Sequence, residues 1–251
     1  MSTNLAPELK IANTDLWPEQ SVISKLPGSP AAKRLRHRGW FVWGLIVAAG
    51  LLALGIDVAL SRVMVHGHPS LWQGKGRELV HELLGSFEPF GQPAAIITVT
   101  LAVYLCGGNR RQFAFRILTS FGLASLAPNA IKMCIARVRP VHFNFQGTVF
   151  DTFPGIFWGT TGGTANQSFP SGHTTAAVAF GLALAAIFPR GRWLFITLAA
   201  LVAVQRIECG AHYLSDTLFA TSLAWVIHVA VFETGPLCRW LDQFESKRSG
   251  D

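Results

Sequence analysis

The stretch Gln205-Arg206-Ile207-Glu208-Cys209-Gly210-Ala211-His212-Tyr213-Leu214-Ser215-Asp216 lies between two apolar runs, Trp193–Val204 before it and Ser215–Phe232, which overlaps its end. It sets an arginine, a histidine and an aspartate beside segments where charge is costly. A polar island of this kind reads as the end of one spanning helix, a short connection and the start of the next. That reading decides the fold: a bundle of apolar helices with its chemistry at the helix ends. His212 and Asp216 are four residues apart, so on a helix they share one face and the carboxylate can orient the imidazole.

Composition extends this reading to the whole chain. Half of the 251 residues are hydrophobic and only 14% are charged, against roughly 25% in average soluble domains. Six apolar runs approach the spanning length of about 20 residues: Phe41–Leu60, Phe87–Cys106, Phe113–Ile131, Thr174–Phe188, Trp193–Val204 and Ser215–Phe232. The fourth and fifth are short and must extend into their flanks. The expected fold class is all-α, a six-transmembrane-helix bundle. Residues 1–39 form a polar cytoplasmic leader, disordered or interfacial and not a cleaved signal, 40–232 the membrane domain, and 233–251 a cytoplasmic C-terminal tail.

The net charge of +7 raises nucleic acid as a partner, but its distribution points to a bilayer. Lys33, Arg34, Arg36 and Arg38 precede the first run, and Arg110, Arg111 and Arg116 flank the start of the third. Arg190 and Arg192 separate the fourth and fifth, and Arg239, Lys247 and Arg248 follow the sixth. With six spans these clusters share one side, which the positive-inside rule assigns to the cytoplasm. The opposite loop Val141–Gln167 has no lysine or arginine. The first outer loop is mixed, with Arg62, Lys75 and Arg77 partly offset by Glu78, Glu82 and Glu88. Trp40, Trp43 and Trp193 at inner span ends, and Trp72 and Trp158 in outer loops, suit interfacial anchoring. Both termini are expected in the cytoplasm, in a bacterial inner membrane. Cys106, Cys134, Cys209 and Cys238 have no metal spacing; a Cys134–Cys209 disulfide is conceivable, and free thiols in apolar surroundings are the preferred reading.

On this topology three fragments meet on the outer face: Lys132 to Arg139-Pro140, Pro170-Ser171-Gly172-His173, and Arg206 to Asp216. They supply three cations, two histidines and an acid, a set suited to phosphate. Phosphoryl transfer spreads negative charge over equatorial oxygens, so catalysis rests on placed cations and hydrogen-bond donors. Lys132, Arg139 and Arg206 are the expected cradle. Ser171 adds a hydroxyl, and Gly172 lets the backbone approach at a helix start whose amides favour an anion. His212, backed by Asp216, is the better nucleophile, which leaves His173 as general acid. No metal or cofactor is called for in this scheme, since the cations take that part.

Each element also has a bland reading. Cations at span ends anchor helices, a lone histidine is often a structural hydrogen-bonder, and Pro-Ser-Gly is ordinary capping. His212 and Asp216 could bond only structurally; what weighs against these readings is that all must hold on one face, in order. Competing signatures fail. Ser171 lacks the glycine of a nucleophile elbow because Phe169 stands two residues earlier. Gly74-Lys75-Gly76 is no P-loop, and His66 with His68 is a weak metal pair without further ligands. Asp57, inside the first run, either pairs with Arg62 or faces the bundle interior, and no catalytic role is assigned to it.

At these motifs the chain closely resembles the type-2 phosphatidic acid phosphatase superfamily, whose pattern is Lys, six residues, Arg-Pro; then Pro-Ser-Gly-His; then Ser-Arg, five residues, His, three residues, Asp. Lys132, Arg139 and Pro140 match the first part, Pro170–His173 the second, and Arg206, His212 and Asp216 the third. Gln205 stands where serine is usual, which suggests altered substrate contacts. The resemblance covers roughly Phe87–Phe232 and implies a metal-independent phosphatase with His212 as nucleophile and His173 as general acid. Six spans resemble its lipid-phosphatase branch, with an extracytoplasmic site taking a lipid head group. Phosphatidic acid, phosphatidylglycerophosphate, polyprenyl diphosphate and lipid A phosphates all fit, and the Gly/Thr/Phe-rich stretch Thr148–Phe169 is expected to shape the way in. Two alternatives stand beside hydrolysis: a phosphotransferase using the same intermediate, and a non-catalytic lipid-binding or transport protein.

Overall fold

The computed structural model of the protein describes residues 30–67, 75–156 and 162–249. The leader 1–29, His68, Trp72, Gly74 and Trp158 therefore lie outside the described residues. The chain divides into two units, Met1–Val42 and Trp43–Asp251. Of the first, only residues 30–42 are described, and their backbone is helical.

The described residues are mostly helical. Helix α1 runs Pro30–Ala53, with proline at its first position, where the missing N–H is not needed. The first apolar run does not continue as one helix. A turn at residues 54–56 ends α1, and α2, Asp57–His66, leaves at 70°. The physical reason is Asp57: the break turns its carboxylate into the interior, where it is fully buried and paired. The second run is also bent. Helix α3, Lys75–Gly85, and a 3-10 turn over Glu88–Gly91 meet α4, Pro93–Cys106, at 55°, because Pro93 cannot continue a preceding helix.

Helix α5, Ala114–Cys134, carries Lys132 in its last turn. A two-residue ladder pairs β1, Ile135–Ala136, antiparallel with β2, Gly155–Ile156, a small exception to the all-helical expectation. Then follow α6, Gly172–Ile187, α7, Arg192–Glu208, and α8, Leu214–His228, which passes into a π-helical turn over Val229–Glu233. Among the described residues one helical stretch, Leu214–Glu233, is by itself long and apolar enough to cross a membrane, and up to three are if each bent pair counts as one.

Helix α6 is the centre, packed by α5, α7 and α8. Its small residues permit this closeness. A Cβ on Gly181 would stand 2.9 Å from the Phe195 carbonyl oxygen, and one on Gly91 2.8 Å from that of His173. Phe180, Leu184 and Ile187 of α6 pack with Ile96 and Val103 of α4 and Ile117 of α5. A second cluster joins Ala124, Ala179, Ala224 and Ile227 to Val231 and Leu241.

The stretch expected as a C-terminal tail contains helix α9, Pro236–Ser249, and this helix belongs to the bundle. Leu241 is fully buried. Arg116 of α5 binds Glu245 at 2.7 Å, Asp242, and the Val231 carbonyl at 2.9 Å. All four cysteines are free thiols.

Candidate active site

The end of α5, the start of α6, the end of α7 and the start of α8 lie together, and each brings part of the three motifs. Ser171 caps α6. Its Oγ accepts from the Thr174 amide at 3.4 Å and the Thr174 hydroxyl at 2.9 Å, which leaves its own proton to donate. A Cβ built on Gly172 would stand 3.7 Å from Lys132 Nζ, so the ammonium lies over the first turn of α6. Cation and helix N-terminus thus favour an anion at one place.

His212 is buried and does not share a helix with Asp216. The chain leaves α7 through Gly210, with φ of 68°, and α8 begins only at Leu214. A Cβ on Gly210 would collide with Val141 and Val65, at 2.8 and 2.9 Å, so the connection requires glycine. His212 Nδ1 lies 2.6 Å from the Ser168 carbonyl oxygen and 3.8 Å from Asp216 Oδ2. A carbonyl only accepts, so Nδ1 carries the proton and Nε2 keeps its lone pair. The expectation that the Asp216 carboxylate orients the imidazole is thereby corrected: the Ser168 carbonyl does so, and the acid acts through its charge from just beyond bonding distance. Burial pushes the His212 pKa below its ordinary value, against the pull of Asp216.

Asp216 spends its hydrogen bonds elsewhere. Oδ2 accepts from Ser168 Oγ at 2.6 Å and from the Tyr213 amide at 2.9 Å, and Oδ1 accepts from Arg137. Sequence reasoning passed over Arg137, although its guanidinium is fully buried and every one of its nitrogens has a partner. Nη2 binds Asp57 at 2.7 Å, Nη1 donates to Ser215 Oγ at 2.7 Å, and Nε reaches Thr152 Oγ1 at 3.2 Å. The Tyr213 and Phe153 rings flank it at 4.1 and 4.6 Å. Of the two readings of Asp57, the interior one describes the structure; Arg62 donates instead to the Phe145 carbonyl. An aspartate within an apolar run was the signal for a buried cationic partner.

Arg139, two residues on, is the opposite case. Its Nε is buried without a hydrogen-bond partner, and burial and then the neighbouring Arg206 lower its pKa. Among the described residues, neither Lys132 nor Arg139 makes an ion pair. Arg206 is held by its neighbours. Its Nε donates to Gln205 Oε1, and its Nη2 lies 2.7 Å from Glu88 Oε2. Glu88 also stands 3.7 Å from His173 Nε2, and it was expected only as a loop charge.

Other residues singled out in the sequence serve structure or remain apart. His66 stacks edge-on against Phe145 at 5.1 Å, while its expected partner His68 lies outside the described residues. No group of three His, Cys, Asp or Glu side chains placed to hold a metal occurs among the described residues. Of the stretch Thr148–Phe169, residues 157–161 lie outside the described residues; within the rest, Thr148 and Asp151 form a reciprocal cap.

Comparison with known proteins places this arrangement. The sequence model of the PAP2 superfamily matches residues 113–240, about half of the chain and the part that holds all three motifs. The chain belongs to the PAP2 superfamily. Over 102 residues it is 39% identical to the lipid A 1-phosphatase of Rhizobium etli, a match covering 41% of each chain. Over 103 residues it is 40% identical to the lipid A 1-phosphatase of Rhizobium johnstonii, covering 41% of this chain and 40% of that one. The chain thus spans about two fifths of the length of the curated relatives it matches. Among solved structures, a transmembrane PAP2-type phosphatidylglycerolphosphate phosphatase from Bacillus subtilis aligns at 17% identity with a TM-score of 0.49, over 84% of this chain and 95% of that one. Aquifex aeolicus LpxE aligns at 15% identity and a TM-score of 0.48, over 71% and 96%.

Proposed function

We propose that the protein is an integral-membrane lipid phosphate phosphatase that works through a phosphohistidine. The observation that carries the reading is the pair of cations Lys132, over the start of α6, and Arg139, neither with a carboxylate partner, beside a buried histidine with a free Nε2. Cations withdrawn from water without counter-charge are costly, and a phosphoryl group supplies the missing anion.

In this reading Lys132, Arg139, Arg206, the Ser171 hydroxyl and the α6 amides hold the phosphoryl oxygens. His212 Nε2 attacks phosphorus and the bond to the leaving oxygen breaks, while His173 gives that oxygen its proton. Asp216, through its charge, stabilises the cationic ring formed. Water then cleaves the phosphohistidine, with His173 taking its proton, so inorganic phosphate leaves and the site is restored.

The site opens at the extracytoplasmic end of six spans, with both termini in the cytoplasm. The loop charges support this orientation. So does the meeting of four successive helix ends at the site, with the Arg116 contacts to Val231 and α9 at the opposite ends of α5 and α8. The curated relatives make a lipid A 1-phosphate the first substrate to test, ahead of phosphatidic acid, phosphatidylglycerophosphate and polyprenyl diphosphate. Purified protein in detergent is expected to release phosphate from such a lipid in the presence of EDTA, and His212→Ala to abolish the release. Retained activity in that variant would overturn the assignment.

A further inference from the structure

The departure at Gln205 and the unassigned Glu88 belong to one arrangement. Gln205 Nε2 donates to Glu88 Oε2 at 3.4 Å, its Oε1 accepts from Arg206 Nε, and Arg206 Nη2 closes the triangle on Glu88 at 2.7 Å. The Nε–Nη2 edge of the guanidinium, the fork best shaped for a phosphate, is therefore already occupied. Glu88 Oε1 is steadied by Gln92 Nε2 at 3.2 Å and points toward His173 Nε2 at 3.7 Å. The turn that carries Glu88 is pressed on α6, since a Cβ on Gly91 would stand 2.8 Å from the His173 carbonyl oxygen. Backbone packing thus fixes the turn that carries Glu88, and Gln92, Gln205 and Arg206 hold its carboxylate.

We infer that Glu88 and Gln205 are positioning residues of the phosphatase reaction, Gln205 clamping Arg206 through Nε so that Nη1 is left for the phosphoryl group, and Glu88 acting as counter-ion to the proton donor His173. The inference rests on the reading of His173 as general acid. Arg206 of α7, Lys132 of α5 and His212 of the connecting loop are the other charged or titratable groups that face His173, and each repels a proton there. Glu88 is the carboxylate that favours one. A charge at this distance acts most when substrate excludes water from the site.

The test is the pH profile of kcat, whose basic limb reports the acid in the bound complex. Glu88→Gln keeps the size but removes the charge and one of the two accepting oxygens. Its basic limb is expected to move down by about one pH unit, with roughly tenfold lower kcat above that limb. Glu88→Asp is expected to bring the limb back toward its original position. Gln205→Ser is expected to raise KM several-fold with kcat little changed, because it frees Arg206 without touching His173. An unmoved basic limb in Glu88→Gln would overturn the inference, and so would a rise in kcat, which would make Glu88 a competitor of phosphate. His212→Ala keeps the two levels apart. If it stays active, the functional reading fails; if it is inactive while Glu88→Gln keeps its limb, only the counter-ion role fails, and an unchanged KM in Gln205→Ser overturns the clamp.

Discussion

Arg137 and Arg139 leave the same short segment, two residues apart, and meet opposite fates. Arg137 is closed off, with Asp57, Asp216, Ser215 and Thr152 on its nitrogens and two aromatic rings on its faces. Arg139 is left open, with a buried Nε that nothing accepts and two further cations close by. Positions i and i+2 of an extended segment lie on one face, so strand alternation does not separate the two arginines. A buried charge with all its partners is architecture, and a buried charge without them is a binding site. Residue type alone does not separate the two; the partners do.

The contrast has measurable consequences. The largest falls on the nucleophile, which the open side serves: His212→Ala is expected to lower phosphate release by on the order of a thousandfold or more while the protein still folds. Arg139→Ala comes next, with activity down about a hundredfold or more and thermal stability unchanged or raised, since an unpaired charge is removed. Arg137→Met is expected to act in the reverse order. It strands Asp57 and Asp216 without their cation, so a loss of about 3–5 kcal/mol in unfolding free energy should precede any separate effect on catalysis. Thermal melts and phosphate release on both arginine variants decide whether the division holds.

A subtler consequence concerns pH. His212 must be neutral to attack, and burial holds its pKa below the ordinary value. Protonation therefore sets in later as the pH falls, and the acid limb of kcat/KM should lie below the ordinary histidine range of about 6.5. Asp216→Asn removes the opposing negative charge and should shift that limb lower still, with reduced kcat because the cationic ring loses its support. The smallest effect is at the far end of the bundle. Asp242→Asn, at a carboxylate that is 61% exposed, should cost under about 1 kcal/mol, although it touches the buried Arg116.

The motifs made the open half of the site legible: Lys132, Arg139, Arg206 and the two histidines stand on or beside apolar segments, where a charge calls for a reason. The closed half was much less so. Arg137 sits between Lys132 and Arg139, but nothing in its spacing says that it turns inward, and its partner Asp57 lies eighty residues away. That aspartate was visible as an anomaly; its partner was set by the break at residues 54–56, which hydropathy does not record. Likewise four-residue spacing suggested one helix face for His212 and Asp216, whereas Gly210 and the late start of α8 put a carbonyl on the imidazole instead. Helix α9 follows the last apolar run and carries Arg239, Lys247 and Arg248, yet buried Leu241 and Cys238, with Glu245 and Asp242 on Arg116, dock it. Local pattern thus located most apolar segments and the charges at their ends, while the partners of those charges depended on tertiary closure.

The most direct test of the account is a rapid quench of the purified protein turning over a lipid substrate labelled with radioactive phosphorus in its phosphate. The account predicts an acid-labile, base-stable label on His212 that disappears in His212→Ala. A label on any other residue, or undiminished phosphate release by His212→Ala, would contradict it.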